Sequence, residues 1–174
     1  MSARTAAFGT FFSIVAISTM TSLFAPPAAA ASKEDWDQCQ DVNNEDKRAS
    51  DRALAACNRI LADDSEKQYY AMALRNRCGI WYTKGNNDRA LGDCDAALRG
   101  DPNSAVGYHR RGLIFYSKQN YDRAIADYNE SIRLDPKLAL AWYNRSLAYK
   151  AKGDTQKAEA DLAQAARLDQ KYAK

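Results

Sequence analysis

The sequence has 174 residues but one histidine and four prolines, and 25 Lys+Arg nearly cancel 22 Asp+Glu. A single imidazole makes a His-rich metal site or a Ser-His-Asp triad hard to assemble. The balanced charge removes the surplus of Lys and Arg that would track nucleic-acid phosphates. No Cys-x-x-Cys pair, phosphate-binding glycine loop or nucleophile–base pair is visible. Strand-like alternation and hairpin turn signals are also lacking. These absences exclude the common catalytic and nucleic-acid-binding classes and leave a helical, non-enzymatic domain without a cofactor.

Acidic residues are missing altogether from positions 1–31. Arg4 supplies a positive start, and an apolar stretch follows from Phe8 to Ala25, broken by hydroxyl residues. Pro26-Pro27 and the run Ala28–Ala31 then precede Ser32-Lys33-Glu34-Asp35. This is the layout of a secretory signal peptide, with cleavage expected after Ala31 or Ala30. No cysteine lies at the cut and no Arg-Arg pair precedes it, so neither a lipid anchor nor a twin-arginine route is expected. Nothing further along is long and apolar enough to span a bilayer. The expected mature chain, 32–174, is a small periplasmic or secreted domain, where four cysteines can pair.

The remainder repeats with a period of 34. Asp88-Arg89-Ala90-Leu91 returns as Asp122-Arg123-Ala124-Ile125, and Asp101-Pro102 as Asp135-Pro136. Arg77, Arg111 and Arg145 keep the same step, as do Asp93, Asp127 and Asp161. A fixed period of this length points to stacked helical units. Within one unit, Tyr108, Gly112 and Phe115, then Ala124, Tyr128 and Ser131, recur at steps of three and four, so each set lies on one helical face. Lys118-Gln119-Asn120 interrupts the pattern and Asp135-Pro136 ends it. Upstream, Arg52–Cys57 aligns with Arg89–Cys94 at an offset of 37. Three residues are therefore inserted before position 71, and Ser65-x-x-Gln68 is a candidate capping box for a lengthened helix there. Residues 34–40 would form a short first helix.

These residues resemble the tetratricopeptide repeat family. Its first helix wants a bulky, then a small, then an aromatic residue: Trp142, Ser146 and Tyr149; Tyr108, Gly112 and Phe115; Leu74, Cys78 and Trp81. Its second helix is matched by Ala124, Tyr128 and Ser131, by Ala158, Leu162 and Ala165, and by Ala90, Cys94 and Ala97. The resemblance implies an all-α fold, a right-handed solenoid of stacked antiparallel helix pairs. The expected divisions are a signal peptide (1–31), a degenerate first repeat with its insertion (32–70), and repeats at 71–104, 105–138 and 139–172, the last terminal.

The cysteines follow this register. Cys57 and Cys94 share one place, and Cys78 and Cys39 share another. Residues equidistant from a helical turn face each other, which favours the bridges Cys39–Cys57 and Cys78–Cys94. A link from Cys57 to Cys78 across the unit boundary is the alternative. Each short loop would contribute roughly 3 kcal/mol in the loop-entropy account. The recurring Arg and Asp sit level on the two helices of a unit, so they are expected to pair with each other and not with a ligand. The first unit has Gln38 and Ala56 at those places, lacking both partners at once. Glu159 and Ala166 replace the apolar pairs Leu91/Leu98 and Ile125/Ile132. The outer face of the last unit thus turns polar, as a terminal repeat requires. Dimerisation through this end stays open.

By the resemblance, the first helices line a concave groove. Its candidate peptide-binding residues are Arg75, Asn76 and Tyr82, then His109, Arg110 and Tyr116, then Tyr143, Asn144 and Lys150. The groove places hold no Asp or Glu, so a carboxylate-bearing segment is the expected ligand, with Arg as fork and Tyr as flat contact surface. His109 is expected to bond within the groove and not to catalyse. The carboxylate clamp of some family members is not matched: its places hold Arg75, Gly79, Arg110, Leu140 and Asn144. The expected function is to dock a segment of another envelope protein. The alternative is a structural protein that self-associates through terminal repeats. No metal, cofactor or nucleic acid is expected in either.

Overall fold

A computed structural model describes residues 31–42 and 46–173. Apart from Ala31, the expected signal peptide lies outside them. The described residues form eight α-helices in four antiparallel pairs: α1 (Lys33–Cys39) with α2 (Lys47–Ala62), α3 (Tyr70–Thr83) with α4 (Asn87–Gly100), α5 (Ala105–Ser117) with α6 (Tyr121–Leu134), and α7 (Ala139–Ala151) with α8 (Thr155–Leu168). Each second helix also packs on the first helix of the next pair, and α3, α5 and α7 neighbour one another. The result is an all-α solenoid.

The same local chemistry starts each second helix. Asn86, Asn120 and Asp154 cap α4, α6 and α8 by accepting from the amides of Arg89, Arg123 and Lys157. The turn before each cap needs a left-handed residue, filled by Gly85 (φ 74°), Gln119 (φ 59°) and Gly153 (φ 83°). Only the middle turn places a side chain where glycine fits best. Asp101 and Asp135 close α4 and α6, just before the two prolines.

The Ser65–Gln68 capping box does not form. Asp64–Tyr69 is a 3-10 segment capped by Asp63, which accepts from the Ser65 amide at 3.0 Å and its hydroxyl at 2.7 Å. A carboxylate two residues earlier is the stronger acceptor, so the serine hydroxyl is used as a donor. The three extra residues are absorbed in this segment, and α3 begins only at Tyr70.

Both disulfides lie inside helix pairs: Cys39–Cys57 joins α1 to α2, and Cys78–Cys94 joins α3 to α4. Two forked ion pairs and a third like them tie the later pairs. Arg111 Nε and Nη2 donate to the Asp127 carboxylate at 2.9 and 2.8 Å, and Arg77–Asp93 and Arg145–Asp161 repeat the geometry. The Asp127 and Asp161 side chains are only 8% exposed. Removing one partner of such a pair leaves a buried charge, at a cost of about 3–5 kcal/mol. In the first pair, Arg59 Nε donates to Asp35 at 2.6 Å and takes over this tie from a different position.

One apolar side chain of each following helix plugs the slot between the two helices of a pair. Ile80 packs with Ala53, Ala56, Cys57 and Ile60; Ile114 with Cys78, Ala90 and Cys94; Ala148 with Ala124 and Tyr128. Plug and wall are complementary in size. The cysteine-walled slots take isoleucine, and the slot walled by Tyr128 takes alanine, as close packing requires. Two polar grips accompany each plug. Arg77, Arg111 and Arg145 reach Asn58, Asp95 and Asn129, and Lys84, Lys118 and Lys152 reach Asp51, Asp88 and Asp122 on the preceding second helix.

Candidate functional site

The neighbouring first helices α3, α5 and α7 bring together part of the expected groove. Tyr82, His109 and Arg110 line a cavity of about 230 Å³ together with Gly79, Thr83, Val106, Leu113, Leu138 and Leu140. Arg110 donates to the carbonyl of Arg75 and, at 3.3 Å, to the Asn76 side chain. Its guanidinium lies over Gly79, where an added Cβ would stand 3.1 Å from Nη1. Glycine at that place is what lets the arginine cross from one unit to the next.

Arg75 and Arg110 differ from the arginines of the structural forks. Both are partly buried, and neither is in a salt bridge with a described carboxylate. Arg75 donates weakly to Ser104 Oγ at 3.5 Å, and its Nε is buried without a partner. Burial lowers the pKa of both guanidiniums. For Arg75 the charge of Asp101 opposes the shift; that of Arg110 falls to about 10, with the charge of Arg75 adding to the effect. Two cations desolvated side by side, with Asp101 the one carboxylate acting on Arg75, favour an added anion.

His109 is 7% exposed, and its Nε2 lies 2.8 Å from Asn144 Nδ2. Burial pushes its pKa down to about 4, and the Arg110 charge acts in the same direction. The ring is therefore neutral, and Nε2 accepts from the Asn144 amide. It links α5 to α7 under the groove floor, near the buried, unpaired hydroxyl of Tyr128.

Of the other expected residues, two separate from this centre and one stays beside it. Tyr116 stays near Tyr82 and packs on the Tyr128 cluster, with its ring also 5.4 Å from that of Tyr121. Tyr143 stacks on Tyr172 at 4.7 Å and, with Lys150, lines a different cavity at the end of the solenoid. The site also contains residues outside the expected set. Ser104 and Leu138 lie just before α5 and α7 and are supplied by the inter-unit loops. Val106 and Leu140, which do fall at groove places of the repeat, are 37% and 41% exposed and form an apolar rim. Their signal in the sequence is a bulky apolar residue at the first turn of both helices, 34 apart. Among the described residues no group of side chains is arranged to hold a metal ion, and no helix is long and apolar enough to cross a membrane.

Comparison with known proteins agrees with this architecture. Residues 112–153 match the family model described as TPR repeat, and residues 139–172 the one described as Tetratricopeptide repeat. Similar solved structures include the second TPR of Spaghetti (RPAP3) bound to the HSP90 peptide SRMEEVD, with a TM-score of 0.57 and 21% identity, covering 60% of this chain and 96% of that one. A crystal structure of MamA gives 0.60 and 19%, covering 77% and 81%. The Arabidopsis OM64 TPR domain gives 0.58 and 18%, covering 60% and 86%. No curated protein matches the chain. At these identities the likeness is one of fold. Residues 112–172 thus match tetratricopeptide-repeat models, and the described helix pairs share the α-solenoid fold of these structures.

Proposed function

We propose that this protein is a non-enzymatic interaction module of the bacterial envelope, which holds an acidic segment of a partner protein against Arg75 and Arg110. The carrying observation is the pair itself: two partly buried guanidiniums, neither in a salt bridge with a described carboxylate, beside an apolar cavity. A partner carboxylate would take up donors that now have weak acceptors or none, and such charge-assisted forks are among the stronger hydrogen bonds. The first and second TPRs of Spaghetti are each seen with a peptide bound, which supports peptide capture as a use of this fold. The groove residues here differ from the family's clamp, so a different peptide is expected.

The same reading makes residues 1–31 a signal peptide and places the mature chain in the periplasm or outside the cell. Two disulfides suit such an oxidising compartment.

The test is a peptide array of acidic and neutral 12-residue segments probed with the mature chain and with Arg75→Gln/Arg110→Gln. Selective retention of acidic peptides by the parent, lost at least about tenfold in a variant of equal helicity, is the expected result. Retention that ignores peptide charge, or survives the double substitution, would reject the reading.

A further inference from the structure

The solenoid contains four slots between paired helices, and the first three are filled. At the fourth, between α7 and α8, no following helix is present among the described residues. The slot keeps its shape. Leu147, Ser146, Ala158 and Leu162 wall a cavity of about 500 Å³, and the terminal turn Gln170–Tyr172 closes one side by laying Tyr172 on Tyr143.

Its walls correspond, place by place, to those of the filled slots. Leu162 stands where Cys94 and Tyr128 stand, and Ser146 where Cys78 and Gly112 stand. Leucine is larger than cysteine but smaller than tyrosine. By the size complementarity of the inner slots, the space left suits a branched aliphatic plug.

The ionic grips, in contrast, are not repeated. The places of Asp122 and Asn129, which receive Lys152 and Arg145, are Gln156 and Ala163 on α8. Another helix of the kind this chain uses internally would arrive with an Arg and a Lys and find the neutral amide of Gln156 in place of a carboxylate and the methyl group of Ala163 in place of an acceptor. A second copy stacked head to tail fits worse still. In the register that equates Cys39 with Cys78, its α1 ends at Cys39, two residues short of the place that Ile80 holds within α3, and so has no helical side chain to offer as a plug.

We propose that the α7–α8 slot is a second docking site, separate from the groove, which takes one Ile, Leu or Val side chain from an amphipathic helix of a partner protein. The partner helix continues the stacking interface of the three inner units, with a small residue seven positions before the plug, as Ala73 precedes Ile80 and Gly107 precedes Ile114. It lacks basic residues at the two grip positions. Glu159 stands where Leu91 and Ile125 stand, so a polar or basic partner residue faces it. Lys150 and Lys171 on the opposite rim accept an acidic one. Charges of both signs around an apolar hole set register more than affinity.

The probe is a fluorescent, side-chain-stapled peptide copying residues 105–118, with Arg111 and Lys118 replaced by Ala. Stapling is needed because an isolated helix of this length is marginal in water. Binding to the full mature chain is read by anisotropy, beside the same peptide carrying Ile114→Ala. The Ile peptide should bind at least about tenfold tighter than the Ala peptide. Ser146→Gly/Leu162→Tyr rebuilds the slot of the third pair. Both changes are needed, because a Cβ at Gly112 would stand 2.6 Å from Tyr128. This variant should lose the Ile preference and favour Ala. Should it fail to fold, Leu147→Lys at the cavity wall gives the same reading through loss of Ile-peptide binding. Equal binding of both peptides, or an Ile preference unchanged in the variants, overturns the proposal. So does a concentration-dependent dimer, seen by sedimentation and abolished by these variants, because the occupant would then be a second copy. Arg75→Gln/Arg110→Gln should leave this binding intact, so failure here and failure of the groove reading are distinguishable.

Discussion

In the first helix pair, Cys57 on α2 is bonded to Cys39 on α1. In the third, the same two places hold Tyr128 and Gly112, with the tyrosine ring pressed against the glycine and fully buried. Both solutions fix the distance between two antiparallel helices. The covalent one needs little volume, so an isoleucine must fill the slot; the aromatic one nearly fills it, and alanine suffices. The ties differ in the same sense. The third pair adds a buried Arg111–Asp127 fork, while Arg59 in the first pair is half exposed where it meets Asp35. The amino-terminal end therefore depends on its redox state, and the carboxy-terminal end on packing and buried charge.

The largest test of that contrast is to open both disulfides, by reduction or by Cys→Ser at all four positions. A loss of about 3 kcal/mol per bond is expected, concentrated in α1 to α4. Hydrogen exchange should accelerate from Lys33 to Gly100 while α5 to α8 stay protected. Equal acceleration throughout would mean that the solenoid unfolds as one unit and that the contrast has no energetic meaning.

Acid should strike the opposite half. His109 has a folded pKa of about 4, against 6.5 when unfolded. Between these values the unfolded chain binds a proton that the folded chain excludes, so stability falls as pH drops from 6.5 toward 4. The shift corresponds to at most about 3 kcal/mol at the acid end. Urea midpoints measured across this range should slope for the parent and flatten for His109→Gln. An unchanged slope would show that other groups carry the acid response.

The smallest effect concerns a single turn. Gln119→Gly should stabilise the third pair by up to about 1 kcal/mol, because it relieves a left-handed side chain that Gly85 and Gly153 avoid. A lower thermal midpoint would imply that Gln119 makes a compensating contact.

Much of the fold was legible because a stacked repeat is almost one-dimensional. Arg77/Asp93 and its copies recur at 34, so any account of one pair transfers to the others. Short-range capping rules point to the Ser65–Gln68 box because they do not rank competing acceptors, and Asp63 is the stronger one. The groove was legible only in part. Arg75, Asn76, Tyr82, His109, Arg110 and Asn144 meet around one centre, but Tyr143 and Lys150 turn to the end of the solenoid. No periodic argument separates them, since they occupy equivalent places one unit on. What differs is the following unit: α7 follows α5, whereas Tyr172 is what covers α7.

The sequence by itself determined the helix count of each unit, the 34-residue register, and the residues that tie one helix to its neighbour, because these depend on local periodicity and turn chemistry. Tertiary structure decided how the groove arginines are surrounded and how deeply they are buried. Arg110 and Arg111 are adjacent in the chain, yet one is forked to Asp127 and the other lies over Gly79 beside a second cation. Three-dimensional packing sends consecutive side chains of one helix to opposite surroundings, and only there is the burial of each settled.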